Sequence, residues 1–259
     1  MEILQLSDPH LLADPAARIA GRCPARALEE GLRQALDQLA TEGVTVDRLL
    51  LSGDLCHDES WGGYVALRQA LRPWSGPIDL LAGNHDHATL LRAVMGRRAS
   101  IAPAVVPLGP WRLLLLHSHR PGCLEGWLGV RQLRWLEEQL DSVAPAPVLL
   151  AVHHPPEPIG DPAFDQIGLR DGPALLRLVE RSPHVRGLIC GHLHQHWQGD
   201  LPGGGSRSWL ACPSTLRAFG PTQPCPLGRP LWPGGRWIHL GAEGDIRQRL
   251  LRWPPPESH

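Results

Sequence analysis

The sequence predicts a layered α/β fold: short apolar runs alternate with amphipathic helical stretches, and many of the runs end in polar turns rich in Gly, Asp and His. Ile3 to Ser7 reads as a first strand. Ala25 to Ala40 repeats apolar residues at Leu28, Leu32, Leu36 and Leu39, one face of a helix, and Pro24 suits its first turn. Arg48 to Leu51 is a buried strand entering Ser52-Gly53-Asp54. Trp61 to Leu71 is a helix that Pro73 ends, and Ile78 to Ala82 is a strand ahead of Gly83-Asn84-His85-Asp86. The alternation repeats with a strand at Trp111 to Leu116, a helix at Val130 to Leu140 and a strand at Val148 to Val152. Pro173 to Arg181 is again helical and Val185 to Cys190 again a strand. Helical signals then stop, and Trp209 to Ala211, Trp237 to Leu240 and Ile246 to Trp253 read as late strands, the last two flanking a turn at Gly241 to Asp245. Pro155 to Pro162 and Pro221 to Gly235 are too rich in Pro and Gly for helix or central strand, so both are expected to be loops.

The chain of 259 residues suffices for one sizeable core, and one domain over 1–253 with an extended Pro-rich tail over 254–259 is expected. A composition 42% hydrophobic and 20% charged argues against a disordered or membrane-spanning chain. A net charge of −1 gives no bulk attraction to polymeric nucleic acid or to a membrane surface, so a phosphate-bearing substrate has to be drawn in locally. The N-terminus shows no secretory pattern, and a cytoplasmic location is the expectation. Six cysteines without a CxxC pair suggest neither a zinc knuckle nor a redox motif; they read as mostly buried thiols, with Cys225 the most exposed. Trp61, Trp74, Trp111, Trp127, Trp135 and Trp197 lie in or beside expected elements, where burial or partial burial is the ordinary outcome.

Five polar motifs sit where apolar strands end: Asp8-Pro9-His10, Gly53-Asp54, Gly83-Asn84-His85-Asp86, His153-His154-Pro155-Pro156 and Gly191-His192-Leu193-His194. Strand ends that point the same way in a sheet bring such residues into one crevice. A lone aspartate there is more often a turn or cap residue, but five such motifs together argue for a metal site. Asp8, His10, Asp54, Asn84, His153, His192 and His194 offer carboxylate oxygens, an amide oxygen and four imidazoles, a set that suits Mn, Fe or Zn better than Ca or a thiol-seeking metal. Two ions about 3.5–4 Å apart need a bridging carboxylate, and Asp54, alone on its turn, is placed to be one. A water held between them would lose a proton near neutral pH and attack phosphorus. His85 follows Asn84 and is free to face the substrate and donate to the leaving oxygen. Asp86 is expected to hold the other nitrogen of His85 and fix its tautomer. His57, His117 and His154 are candidates for supporting the site, His117 and His119 also for contacting phosphate, and His196 for a supporting or surface place.

These motifs, as they stand here, resemble the calcineurin-like metallophosphoesterase superfamily and, within it, the bacterial class III 3′,5′-cyclic AMP phosphodiesterase group. The likeness extends to Leu11–Asp14, Phe164–Arg170, Val185-Arg186-Gly187 and Pro213-Ser214-Thr215. It implies a four-layer αββα sandwich of two mixed β-sheets flanked by helices. It implies one divalent ion on Asp8, His10, Asp54 and His194 and a second on Asp54, Asn84, His153 and His192. Fe and Mn are the expected metals, with Zn, Co or Mg as alternatives. The implied reaction is hydrolysis of 3′,5′-cyclic AMP to AMP by in-line attack of a metal-bound hydroxide, with Asn84, His85 and His194 touching substrate. Alternatives are a broader phosphodiesterase or phosphomonoesterase acting on 2′,3′-cyclic nucleotides, glycerophosphodiesters or other small phosphoesters, and lastly a non-catalytic metal-binding module. The partner is a small phosphoester rather than nucleic acid or membrane. One departure stands out: His117-Ser118 takes the place of the usual Asp-Ser pair. The sequence leaves monomer and homodimer equally open, and residues 221–237 free either to cap the crevice or to form an interface.

Overall fold

The computed structural model describes residues 1–255, so most of the expected tail lies outside the described residues. In chain order the strands are β1 (Glu2–Leu6), β2 (Arg48–Leu51), β3 (Ile78–Leu80), β4 (Ser100–Ile101), β5 (Ala104–Leu108), β6 (Trp111–Leu115), β7 (Val148–Ala151), β8 (Val185–Cys190), β9 (Trp197–Asp200), β10 (Ser208–Ala211), β11 (Gly234–Leu240) and β12 (Ile246–Arg252). The helices are α1 (Pro24–Thr41), α2 (Trp61–Ala70), α3 (Ala88–Met95), α4 (Gly129–Val143), the short α5 (Pro162–Asp165) and α6 (Gly172–Arg181).

The strands make two six-stranded sheets, ordered β12-β11-β1-β2-β3-β4 and β5-β6-β7-β8-β10-β9. In the first, β1 to β4 run parallel, β11 is antiparallel to β1 and β12 antiparallel to β11; in the second, β6, β7, β8 and β10 run parallel while β5 and β9 are antiparallel to their neighbours. Alternation along each strand assigns its side chains to two different cores. Leu49 and Leu51 of β2 join Leu4 and Leu6 of β1 beneath α1, α2 and α3, while Leu50 and Ile3 point the other way. There they meet Leu149 and Ala151 of β7, whose neighbours Val148 and Leu150 face α4 and α6. Both faces of the central strands are therefore buried, which explains why they read as unbroken apolar runs. Each buried leucine contributes roughly 1.5–3 kcal/mol. The result is the mixed-sheet αββα sandwich that the resemblance implied.

Five elements lie beyond the sequence reading. Helix α3 buries Leu91, Val94 and Met95 at helical spacing directly after the Gly83–Asp86 motif, and β4, β5, α5 and β9 are short or edge pieces with weak patterns. Gly234 and Gly235, assigned to a loop, instead begin β11, where Gly235 pairs with Leu251. Trp61 and Trp127 are exposed rather than buried. Trp127 lies under the guanidinium groups of Arg120 and Arg170, 4.7 and 5.5 Å from its ring, which accounts for an aromatic at the surface. All six cysteines are free, and Cys225 is half-buried, as are Cys23 and Cys123. No helix among the described residues is long and apolar enough to cross a membrane.

Candidate metal centre

Parallel strands β1, β2 and β3 lie side by side, as do β7 and β8 in the facing sheet, and all five motifs leave from the C-terminal ends of these strands. The topology alone thus gathers segments far apart in sequence. Asp8, His10, Asp54 and His194 place one donor atom each within 4.8 Å of one another. His10 Nε2 is 3.7 Å from Asp54 Oδ2, and His194 Nε2 is 3.5 Å from Asp8 Oδ1. The other Asp54 oxygen, Oδ1, lies 3.4 Å from His153 Nε2. Asn84 Oδ1 then lies 3.3 Å from His153 Nε2 and 3.0 Å from His192 Nδ1. Two sets of four donors therefore share one carboxylate, which offers a different oxygen to each. Donor-to-donor edges of this length are what bonds of about 2.0–2.2 Å to a common cation produce, so the residues fit a dinuclear centre.

The backbone is shaped for this purpose. Asp8, His10, Asp54, His192 and His194 all have left-handed φ values, between 50° and 68°, and they make up five of the seven non-glycine residues with positive φ in the described chain. Such strain clusters where function requires it. At Gly83 a Cβ would collide with the Asp54 carboxylate and with His153, so only glycine lets the third strand end approach the shared aspartate.

A layer of hydrogen bonds fixes the donors. His153 Nδ1 donates to the Ser52 carbonyl at 2.7 Å and His194 Nδ1 donates to the Arg217 carbonyl at 2.8 Å, which leaves each Nε2 with its lone pair free. The amide of Gln5 donates to Ser52 Oγ, which lies 2.7 Å from Ser7 Oγ, and Gln5 also donates to the Cys190 carbonyl, tying β1, β2 and β8 together beneath the site. His192 Nε2 is buried and has no partner within the described chain.

Charge follows the same logic. Burial acts to raise the Asp8 carboxyl, but His194, His153 and His10 outweigh it and bring it down to about 2. Burial and the neighbouring Asp8 push Asp54 up to about 7, a state that cations on both of its oxygens would reverse. Burial lowers His10, His153 and His192, which stay neutral as metal ligands must, whereas Asp8 and Asp54 raise His194 against its burial.

The remaining candidates divide. The His85 backbone donates to Asp54 Oδ1 at 2.9 Å, and its ring faces the cleft beside His10. His57 also joins the site, its ring stacked 4.8 Å from His85. Asp86, however, does not reach for His85. Its carboxylate accepts from the backbone N–H groups of Leu55, Cys56 and Gly83 and from the Tyr64 hydroxyl, so it braces the turn that carries Asp54. The two residues are adjacent, and their side chains leave the chain in opposite directions. His154 is buried, its Nε2–H donating to the Leu124 carbonyl at 3.1 Å and its Nδ1 accepting from Ser118 Oγ at 2.8 Å; although it lies within 4.8 Å of His153 and His192, both nitrogens are engaged and it is not a free donor. His117 does not line the cleft: it sits half-buried beside His119, whose Nδ1 donates to the Gly83 carbonyl. Neither of these two rings lines the cavity over the donor cluster. His196 is buried against Arg236 at 3.0 Å.

A cavity of about 600 Å³ opens over the two donor sets, and beside the donors its wall is lined by the apolar Ile19, Leu124, Phe164, Ile167, Leu216 and Phe219. Phe219 packs 4.8 Å from the His194 ring and 5.6 Å from Phe164. Sequence reasoning singled out the stretch around Phe164 but overlooked Phe219. The signal was available, since the chain has two phenylalanines and both stand in this wall. Residues 221–235 do not line the cavity; they pack on Gln195, Gln198 and Arg252 instead.

Comparison with known proteins agrees with this geometry. The model for calcineurin-like phosphoesterases matches residues 1–196. A probable cyclic nucleotide phosphodiesterase of Synechococcus sp. is 45% identical, over 99% of this chain and 98% of its own length. The 3′,5′-cyclic adenosine monophosphate phosphodiesterases of Pseudomonas aeruginosa and Escherichia coli K12 are 35% and 32% identical, over 96% and 97% of this chain and 89% and 90% of theirs. Among solved structures, a dimetal phosphatase from Danio rerio superposes with a TM-score of 0.70 at 14% identity, over 97% of this chain and 96% of that one, which shows a shared fold. On the strength of the family match and of relatives aligned from end to end, the chain belongs to the calcineurin-like phosphoesterases.

Proposed function

We propose that this metal-dependent hydrolase is a cyclic nucleotide phosphodiesterase that converts 3′,5′-cyclic AMP to AMP. The observation that carries the reading is the cavity itself, which sets two cation-binding donor clusters against an aromatic wall within one space. A cyclic nucleotide has the matching halves, an anionic phosphodiester and a flat apolar base. The relatives named as cyclic AMP phosphodiesterases supply the same answer independently. A cytoplasmic location follows from that substrate.

Bound at Asp8, His10, Asp54, Asn84, His153, His192 and His194, two divalent ions, foremost Fe and Mn, would supply an activated water and neutralise charge on the phosphoryl oxygens. The chain's own groups do the rest. Asp54 keeps the two donor sets in register, and the carbonyls of Ser52 and Arg217 hold the rings of His153 and His194 in one tautomer. His85 presents its imidazole to the cleft, where a ring N–H can donate a hydrogen bond to the leaving oxygen as charge develops on it. Burial holds its pKa below the ordinary histidine value, so the ring binds neutral and the donor it offers is an N–H. Phe164 and Phe219 orient the base by stacking.

The test is a substrate panel run on protein whose metal content has been counted. Hydrolysis of 3′,5′-cyclic AMP at a higher kcat/KM than 2′,3′-cyclic nucleotides, glycerophosphodiesters and phosphomonoesters is the expected result. Turnover of an aryl phosphodiester with 3′,5′-cyclic AMP left intact would overturn the substrate while leaving the chemistry.

A further inference from the structure

His57 stands three residues after the shared Asp54, exposed at the rim of the cavity, and its ring touches two functional histidines at once. Its Nδ1 lies 3.2 Å from His10 Nδ1, and its ring stacks on His85 at a centroid distance of 4.8 Å with 26° between the planes. On the other side of His10, Nε2 faces the donors Asp54 and His194, at 3.7 and 3.1 Å. A neutral imidazole that gives the Nε2 lone pair to a cation must carry its proton on Nδ1. Among the described residues that proton has one acceptor in reach, Nδ1 of His57, and a neutral ring that accepts at Nδ1 carries its own proton on Nε2.

We infer that His57 is a positioning residue: it accepts from His10 Nδ1–H, braces the His85 ring by stacking, and so turns a defined Nε2–H toward the substrate space. The inference rests on the two-cation reading above and deepens it. His10, His57 and His85 also lie close enough to suggest a third metal position. His10 cannot serve both places as a neutral ring, because it has one lone pair and that one faces Asp54 and His194.

Three variants separate the two contacts. His57→Asn retains an acceptor, since its Oδ1 occupies the place of Nδ1, but lacks the stack; His57→Phe retains the stack but not the acceptor; His57→Ala lacks both. Because His57 is exposed, all three should fold, which circular dichroism checks. Zinc affinity, measured by chelator competition, should fall roughly 10- to 100-fold in His57→Ala and His57→Phe, the range found when the partner of a metal-bound histidine is removed, and stay within about threefold in His57→Asn. Long-range proton–nitrogen correlation spectra of the zinc-loaded protein should show His10 protonated at Nδ1 and His57 at Nε2. A His57 proton on Nδ1, or unchanged zinc affinity in both His57→Ala and His57→Phe, overturns the assignment. So does a third zinc equivalent that vanishes in His57→Ala, which would make the three histidines a metal site. If the wild-type chain binds fewer than two zinc ions, the two-cation reading fails first and takes this inference with it.

Discussion

Replacing Asp86 with Ala tests whether that residue serves the chemistry or the scaffold. Its carboxylate is fully buried and accepts four hydrogen bonds, from Leu55, Cys56 and Gly83 N–H at 2.8–3.0 Å and from the Tyr64 hydroxyl at 2.9 Å. Burial, then the charge of Asp54, push this carboxyl up to about 7, while the donors Gly83, Leu55 and Tyr64 pull it the other way. Asp86→Ala leaves three backbone donors and a hydroxyl unpaired, and each buried, unsatisfied group costs about 1–3 kcal/mol. A loss of at least about 4 kcal/mol is expected, a large part of the 5–15 kcal/mol that ordinarily holds a fold together. Tyr64→Phe removes one of the four donors and the acceptor for His87 N–H, and should cost about 1–2 kcal/mol. Urea unfolding with chelator present, so that cation binding does not mask the difference, measures both. If Asp86→Ala unfolds within about 0.5 kcal/mol of wild type while its turnover falls as far as that of a His85 variant, then Asp86 acts through His85 and the scaffold reading is wrong.

Other perturbations address the centre directly. Asp54→Asn keeps the size but removes the charge and one of two donor oxygens, so both ions should be lost together, as elemental analysis after dialysis would show; loss of one ion alone would mean that Asp54 does not bridge. His85→Ala should lower kcat about 10²- to 10³-fold with two metals still bound, the range for losing one preorganised donor to a developing charge, and a variant with unchanged kcat would remove it from the chemistry. His117 supplies a pH test away from the metals. Burial, then His119 and Arg92, hold it at about 4 against an ordinary 6.5. It stays neutral in the fold while the unfolded chain takes up a proton below 6.5, so its contribution is present above 6.5 and lost as pH falls. Between pH 7 and pH 5, wild type should lose about 2 kcal/mol relative to His117→Asn, and parallel stability profiles for the two proteins would refute this.

What could be read from the sequence follows from how unusual each residue is in its place. Asp8, Asp54, Asn84 and the histidines stood out because they end runs that are mostly buried and apolar, and parallel topology then converts strand ends into neighbours. Side-chain direction was not readable at that level. Asp86 and His85 are consecutive, yet one points into the turn beneath Asp54 and the other into the cleft, a difference that sequence spacing does not encode. His117 carried the same ambiguity at the end of β6. Gln5 was legible and overlooked: an amide between Leu4 and Leu6 in a buried strand needs partners, and it finds them in Ser52 and Cys190. Phe219 sits in a segment without periodic signal, so only its rarity in the composition marked it.

Backbone strain explains why the site and the fold should respond together to cations. Five donors sit in the left-handed region, which disfavours a residue with a Cβ by roughly 1 kcal/mol or more. Two of them, Asp8 and Asp54, are also buried carboxyls close enough to oppose each other's ionisation. Without cations, the hydrogen bonds from Ser214 Oγ to the Asp8 carbonyl and from the Leu55 and Cys56 N–H groups to the Asp86 carboxylate must hold that geometry against both effects. With cations, the opposed carboxylates become the attraction itself, and any ion that binds only the folded arrangement stabilises it by mass action, about 2.7 kcal/mol at a hundredfold excess over its Kd. The strained turns are therefore best regarded as half of a metal site, with the ion completing what the five left-handed residues begin.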